Sequence, residues 1–137
     1  MAYVFKEGDL PSLVDAKQAR ERIFFVNQEL AKIDDMLAGV MHYKQGAASP
    51  LHLHKNCEHF YFIIDGKATV ESDDGIRSVG PGDMIFIPAE EKHRLRATTP
   101  LFYFEWQAPN RFKTTILEGT DDDLRWDRKD GRVWIQT

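Results

Sequence analysis

Four of the five histidines in this 137-residue chain fall in two short blocks, and their spacing is that of a metal site. His52 and His54 stand two residues apart in the first block, His59 follows shortly after them, and His93 lies in the second block. Imidazole is the side chain that most often binds metals in proteins. Nitrogen ligands suit iron, zinc, copper, nickel and, less strongly, manganese, but not calcium or magnesium. The histidines therefore predict a site for one divalent transition metal.

The residues around the histidines predict strands that would bring the imidazoles together. Alternate residues of a strand point to the same face, so His52 and His54 project together. A turn after His54 would return the chain alongside, and His59 then shares one face of the next strand with Tyr61. His93 begins a later strand. If the face with His59 points inward, three imidazoles converge and His93 supplies a fourth.

The middle of the chain has the pattern of an all-β domain. Short apolar runs are interrupted by Gly, Pro, Asn and Asp, and Asp65-Gly66 is typical of a hairpin turn. Many short strands at regular spacing favour a sandwich or a barrel. We expect strands at Met36–Tyr43, Leu51–His54, His59–Ile64, Lys67–Glu71, Gly75–Val79, Met84–Ile87, His93–Ala97 and Leu101–Trp106.

The two ends of the chain carry no motif. We expect residues 1–35 to form an N-terminal extension that packs on the barrel, with a loop and one helical turn over residues 10–22 and a strand at Arg22–Val26. Residues 107–137 form a charged C-terminal arm that nevertheless contains Trp126 and Trp134. A solvated tail rarely carries two tryptophans, so part of the arm should pack on the barrel or on a second subunit. The whole is one domain, with the barrel core at residues 36–106.

Composition excludes several functional classes. The formal net charge is −4 and no basic stripe is present, so we expect no nucleic-acid partner. The single cysteine, Cys57, excludes an intramolecular disulfide and fits a reducing compartment. The first residues lack the apolar core of a signal peptide, and no apolar run approaches the roughly 18 residues that span a bilayer. We therefore expect a cytoplasmic protein with no membrane partner.

The two histidine blocks resemble the motifs of the cupin family, G-x5-H-x-H-x3/4-E-x6-G followed by G-x5-P-x-G-x2-H-x3-N. The matching positions are Gly46, His52, His54, Gly66, Gly82, Pro88 and His93. Glu90 and Ala97 stand where the second motif has glycine and asparagine. The resemblance covers about residues 36–106. It implies an all-β, single-domain antiparallel double-sheet (jelly-roll) barrel of six to eight strands, with a short N-terminal extension and a C-terminal arm.

The glutamate ligand of the family pattern is replaced in this chain. The position separated from Gly66 by six residues holds His59, and Glu58 lies one residue earlier. Glu58 keeps the spacing to His54, but on a regular strand it faces the side opposite His59. We expect His52, His54, His59 and His93 to bind the metal, with Glu58 as the alternative third ligand. A rearranged site that uses both residues stays open.

A site built only of histidines leaves the charge of the metal uncompensated. It should act as a strong Lewis acid and favour an anionic or enolisable substrate. The resemblance implies iron-dependent dioxygenases, lyases, cyclases and isomerases for this ligand type. We expect a metal-dependent oxidoreductase of the iron dioxygenase type acting on a small organic molecule. Zinc, nickel, manganese or copper could replace iron. The alternatives are a lyase, isomerase or cyclase on a carbonyl substrate, or a non-catalytic cupin that binds a small ligand.

Three further side chains are candidates for catalysis. Tyr61 follows His59 on the same face, and Tyr103 shares a strand face with Glu105. Glu105 could serve as a general base if it faces the cavity, where burial would raise its pKa and a metal would lower it. If it faces outward it is a surface carboxylate. The aromatic arm and the family resemblance both suggest a homodimer.

Overall fold

The computed structural model describes residues 2–26, 35–109 and 113–128, together with the backbone of residues 133–135. Over these ranges the chain forms 13 β-strands and two short 3-10 turns, Glu7–Asp9 and Asp121–Leu124, without an α-helix. The strands are β1 Ser12–Asp15, β2 Arg20–Val26, β3 Leu37–Tyr43, β4 Leu51–Lys55, β5 Glu58–Asp65, β6 Ala68–Ser72, β7 Gly75–Val79, β8 Met84–Ile87, β9 Arg94–Ala97, β10 Leu101–Ala108, β11 Lys113–Glu118, β12 Arg125–Arg128 and β13 Val133–Ile135. The all-β class predicted from the sequence is confirmed.

The strands form two antiparallel layers. The larger layer is a sheet of eight strands in the order β13-β12-β1-β2-β3-β10-β5-β8. The smaller layer combines the sheets β7-β6-β9 and β11-β4, which are joined by bridges between His52 and His93 and between Ala48 and Arg96. This is the predicted double-sheet, jelly-roll architecture.

The hydrophobic core lies between the two layers. Ile63 and Leu101 contribute from the larger layer, and Val70 and Leu95 contribute from the smaller one. Burial alternates along β5 and β10, as expected for strands with one face in the core. On β5 this alternation turns His59, Tyr61 and Ile63 inward.

The eight strands β3 to β10 lie where the sequence predicts them, with ends that differ by two residues or fewer. The expectation of a loop and a helical turn over residues 10–22 is wrong, because β1 and the start of β2 occupy this stretch. The Asp15 side chain stabilises the turn between them, since it accepts hydrogen bonds from the Ala19 and Arg20 backbone amides. The strand at Arg22–Val26 is present as part of β2.

The hairpin between β5 and β6 requires a glycine at its turn. Gly66 has a φ of +88°, in the left-handed region that glycine adopts without strain. A Cβ atom at this position would lie 2.0 Å from the Pro100 carbonyl oxygen. The glycine of the sequence motif therefore permits a tight turn that lies against the backbone of Pro100.

The C-terminal arm packs on the protein's own larger sheet. Strand β12 pairs with β1, so that Trp126 lies opposite Asp15 and is almost fully buried. Of the two alternatives, packing on the barrel or on a second subunit, this arrangement corresponds to packing on the barrel. The side chain of Trp134 lies outside the described residues. Over the part of the chain that the structure describes, no helix is long and apolar enough to cross a membrane.

Candidate metal centre

Three histidines converge on the inner face of the smaller layer. His52 and His54 both point inward from β4, and His93 immediately precedes β9. The backbones of His52 and His93 exchange two hydrogen bonds of 3.1 and 2.8 Å, which fixes the two residues side by side. One ring nitrogen from each of the three lies within 4.8 Å of the others. The sequence spacing therefore identified a real cluster, the histidine triad of His52, His54 and His93.

Backbone carbonyls orient two of the triad rings. His52 Nδ1 lies 2.6 Å from the Pro50 carbonyl oxygen, and His93 Nδ1 lies 3.0 Å from the Glu91 carbonyl oxygen. A carbonyl can only accept a hydrogen bond, so each Nδ1 carries the proton and each Nε2 keeps a free lone pair. Outer hydrogen bonds of this kind orient histidines that bind metals.

The third ring is oriented from a distant strand. His54 Nδ1 lies 3.0 Å from Thr114 Oγ1 on β11, which pairs with β4. The Nε2 atom of His93 is buried and has no hydrogen-bond partner among the described residues. Such a nitrogen is costly to bury unless something binds it. The triad thus fits a divalent transition metal, which takes imidazole nitrogens as ligands.

Burial keeps the triad histidines in the neutral form that metal binding requires. Burial lowers the pKa of His52 to about 4. Burial, together with the neighbouring histidines, also lowers the pKa values of His54 and His93 far below their ordinary value. At neutral pH the triad therefore presents lone pairs and not positive charges.

His59 faces the triad from the opposite layer. Its ring centroid lies 5.3 Å from that of His54 and 5.9 Å from that of His93. Its Nε2 atom is 3.3 Å from Glu105 Oε2 and its Nδ1 atom is 3.1 Å from the Tyr61 hydroxyl. The structure thus places His59 beside the triad, with its nitrogens hydrogen-bonded to other side chains.

Glu58 lies on the other side of β5 from His59. Its side chain is exposed to solvent, whereas His59 is 3% exposed. The two-residue period of the strand separates these neighbours, as expected from their positions before Gly66. The structure therefore brings His59, and not Glu58, to the triad.

Glu105 faces the cavity and is held in an ion pair with Arg22. Arg22 Nε lies 2.9 Å from Glu105 Oε1, and Arg22 Nη2 lies 3.1 Å from Oε2. Burial alone would raise the pKa of Glu105, but the Arg22 charge and the His59 hydrogen bond lower it to about 2. Glu105 is thus an ionised carboxylate that fixes His59.

The two candidate tyrosines occupy different places in the cavity wall. Tyr61 contacts His59, with the ring centroids 4.3 Å apart. The Tyr103 hydroxyl donates a hydrogen bond of 3.2 Å to the Tyr43 hydroxyl. Burial raises the pKa of both Tyr61 and Tyr103 well above the ordinary value, so both are neutral phenols. Tyr61 is the one that touches the histidine cluster.

Several cavity residues were not predicted from the sequence. The cavity beside the triad has a volume of about 40 Å³, and its wall includes Arg20, Arg22, Gln107 and Trp126. The Gln107 amide nitrogen lies 2.9 Å from His59 Nε2. The two arginines alternate along β2 and share its buried face with Phe24. The sequence signal that could have identified Arg20 and Arg22 is the presence of charged residues at alternate positions of an otherwise apolar strand.

The comparisons with known proteins agree with this geometry. The model of the cupin domain family matches residues 39–106, which span β3 to β10 and all four clustered histidines. The chain belongs to the cupin superfamily. A search of curated proteins gives no significant match.

Solved structures of other cupins share the fold. KdgF from Halomonas sp. has a TM-score of 0.70 at 20% identity, with 81% of this chain and 96% of that chain covered. A sugar phosphate isomerase from Silicibacter pomeroyi has a TM-score of 0.69 at 15% identity, with 97% and 93% covered. Oxalate decarboxylase from Bacillus subtilis has a TM-score of 0.69 at 22% identity, with 85% and 33% covered. This cupin thus spans one third of the oxalate decarboxylase chain, and these likenesses show the fold alone.

Proposed function

We propose that this cupin is a metal-dependent enzyme that acts on a small organic molecule, with His52, His54 and His93 as ligands of one divalent transition metal. The convergence of three oriented imidazoles, one with a buried and unpartnered Nε2 atom, carries the proposal. We propose His59 as the additional ligand, since its ring is in place next to the triad.

Within this class we favour an iron-dependent dioxygenase-like oxidoreductase. Iron would supply a site where O2 and an electron-rich substrate bind side by side, whereas zinc, nickel, manganese or copper would mainly polarise a carbonyl group. Tyr61 and Tyr103 are buried beside the histidine cluster and form part of the cavity wall. Glu105 is a weak base because of its ion pair with Arg22, so its proposed role is to orient His59.

A second candidate is a lyase or isomerase that moves a proton on an enolisable substrate. The hydrogen bond between His59 and Glu105 favours it, because a histidine held by a carboxylate can pass a proton to a neighbouring molecule. Among the similar structures, one is named a sugar phosphate isomerase and another an oxalate decarboxylase with Mn(II) centres. Manganese is therefore a reasonable alternative metal.

Metal identity and oxygen uptake separate the two candidates. The protein would be purified without an affinity tag, its metal identified by elemental analysis, and the Fe(II)-loaded form tested with β-diketones, α-hydroxyketones, catechols and thiols. The dioxygenase proposal predicts iron and substrate-dependent O2 consumption. If the protein contains manganese or zinc, and its Fe(II) form takes up no O2 with any of these compounds, the lyase or isomerase is favoured.

The cytoplasmic location stays a prediction from the single cysteine.

A further inference from the structure

Two buried arginines line the cavity beside the histidine triad, and their hydrogen bonding differs. Arg20 has no buried atom without a partner among the described residues; its Nε atom lies 2.8 Å from Asp15 Oδ2, and its Nη2 atom donates to the Asp123 carbonyl. Arg22 donates from Nη2 to Glu105 Oε2 and from Nε to Met41 Sδ, and its Nε atom also lies 2.9 Å from Glu105 Oε1 in the ion pair. Its Nη1 atom is buried and has no partner among the described residues.

The guanidinium group of Arg22 is fixed in place by aromatic rings. Its central carbon lies 5.0 Å from the Phe24 ring centroid and 4.9 Å from that of Trp126. Contacts of this kind stabilise a cation without using its N–H groups. A buried N–H group without an acceptor is unfavourable, so an acceptor on a bound molecule would stabilise this arrangement. Arg22 is therefore preorganised to receive one.

The charges around the cavity favour an anion as that molecule. Arg20 is paired with Asp15 and Arg22 with Glu105, so the two buried pairs are each neutral. Imidazoles that bind a metal do so as neutral ligands. A divalent ion on the triad would then add two positive charges to a buried cavity, where uncompensated charge is costly.

We propose that Arg22 binds the carboxylate of a small carboxylic acid substrate through its free Nη1 atom, while the rest of the substrate points to the triad. This inference rests on the proposed metal-dependent function. Guanidinium groups are well suited to carboxylates. The cavity of about 40 Å³ has room for roughly three water molecules, so a three-carbon oxo acid is a suitable probe.

Calorimetric titration tests this assignment on Zn(II)-loaded protein, which carries out no redox chemistry. Pyruvate is the probe, and pyruvamide is its uncharged counterpart. We expect pyruvate to bind the wild type and pyruvamide to bind much more weakly. Arg22→Gln should weaken pyruvate binding by about 10- to 100-fold. The matched control is Arg96→Gln, on the exposed side of β9, which should leave the affinity unchanged.

The metal content of each variant separates this inference from the proposed function. If the wild type binds no metal, the proposed function fails. If Arg22→Gln binds metal normally and still binds pyruvate as the wild type does, only the Arg22 assignment is overturned. Since Arg22→Gln leaves Glu105 buried and unpaired, the double variant Arg22→Gln/Glu105→Gln provides a second test without a buried charge. The double variant should also lose pyruvate binding, and normal binding would contradict the assignment.

An independent observation concerns the outer side of the larger sheet. The side chains there that lie away from the core on β5, β8 and β10 form an apolar surface. This outer apolar face consists of Phe60, Phe62, Ile64, Met84, Phe86, Phe104 and Trp106. The strand register sets them in rows, with Phe104 beside Phe62 and Phe62 beside Met84. Its rings also pack on each other, and the Phe60 ring centroid lies 4.9 Å from those of Phe86 and Trp106.

The exposed apolar area of this face can be compared with the share that one partner contributes to a standard interface. Met84 is 59% exposed, Phe86 47% and Ile64 43%, and Phe62 and Phe104 are each 38% exposed. With about 200 Å² for each large side chain, these five expose roughly 450 Å². The largest apolar patch of a typical monomer covers about 300–600 Å² and is often functional, and this face lies in that range. This exposed area is somewhat more than half of the ~800 Å² that each partner contributes to a standard interface.

We infer that the outer apolar face is the interface of a homodimer. The seven side chains of the face are uncharged, and Glu58 lies at the end of the same side of β5, so the partner surface should be mainly apolar. A second copy of the chain offers such a surface, and contact about a two-fold axis makes one patch complementary to itself. Strand β8 forms an end of the eight-stranded sheet, so a second copy can approach this side of the face without displacing a neighbouring strand.

Sedimentation analysis at micromolar concentration tests the dimer. We expect the wild type to sediment as a dimer and Phe86→Glu to sediment as a folded monomer. Ile76→Glu is the matched control, because Ile76 is 70% exposed on β7 of the other layer. This control should remain a dimer. Met84→Glu gives a second test if Phe86→Glu does not fold. A monomeric wild type, a dimeric Met84→Glu variant, or a stable complex with a different protein on this face would overturn the inference.

Discussion

At the scale of the residue, the direction of each triad ring depends on a partner outside the cluster. The Pro50 and Glu91 carbonyls fix two rings, and the Thr114 hydroxyl fixes the third. The sequence identified the histidines because their spacing follows the strand period. It could not identify Thr114, because that contact joins residues 60 positions apart and depends on the pairing of β4 with β11.

Thr114→Val should weaken metal binding while retaining the shape of the side chain. Loss of an outer hydrogen bond to a ligating histidine typically lowers metal affinity by about 10- to 100-fold. Competition with a chromophoric chelator measures this affinity. Thr115→Val, at the neighbouring position on β11, is the control and should bind metal like the wild type. Equal affinity in Thr114→Val and the wild type would show that His54 needs no such orientation.

The choice between His59 and Glu58 as an additional ligand is tested by separate substitutions. We expect His59→Ala to lower metal affinity, because its ring lies next to the triad. Glu58→Ala should leave the affinity unchanged, because the Glu58 side chain is exposed on the opposite face. The same chelator competition serves for both variants. If only Glu58→Ala lost metal, the usual cupin set of three histidines and one glutamate would be restored.

At the scale of the element, the sequence predicted the central strands well and the N-terminal ones poorly. Alternation and turn residues located β3 to β10, and along β5 and β10 the alternation follows from one face lying in the core. Strand β1 and the first two residues of β2 were missed because charged residues occupy inward positions. Arg20 and Arg22 are tolerated there only because Asp15 and Glu105 neutralise them. These ion pairs form only in the folded structure, so no local sequence pattern indicates them.

The turn at Gly66 provides a test at this scale. Gly66→Ala should lower the free energy of unfolding by about 2 kcal/mol or more, because alanine is strained at this φ and its Cβ would collide with the Pro100 carbonyl. Chemical denaturation measures the change. Gly80→Ala is the control, since a Cβ there meets nothing within 4 Å. Similar stability losses in the two variants would contradict the role assigned to Gly66.

At the scale of the whole molecule, the candidate metal centre lies where the two layers meet. The smaller layer supplies the triad, and the larger layer supplies His59, Glu105 and Arg22. The C-terminal arm contributes Trp126 to the cavity wall, where its ring lies against the guanidinium of Arg22. The site therefore forms only when the two layers pack against each other, and the core between them supports its geometry.

Truncation of the core should destabilise both layers together. Ile63 has 0% exposure, so Ile63→Ala should lower the free energy of unfolding by about 2–5 kcal/mol. Ile76→Ala, on the exposed face of β7, should change the stability by less than about 0.5 kcal/mol. Thermal and chemical unfolding measure both. A small effect at Ile63 would mean that the contact between the layers contributes little to stability.

The metal content of untagged protein tests the central claim most directly. The wild type and His93→Ala are each incubated with a divalent transition metal, the excess is removed, and the bound metal is measured by elemental analysis. This compares the intact triad with one that lacks its unpartnered nitrogen. We predict about one metal ion per chain in the wild type and little or none in a folded His93→Ala variant. A wild type that retains no metal, or a His93→Ala variant that retains as much as the wild type, would contradict the metal centre.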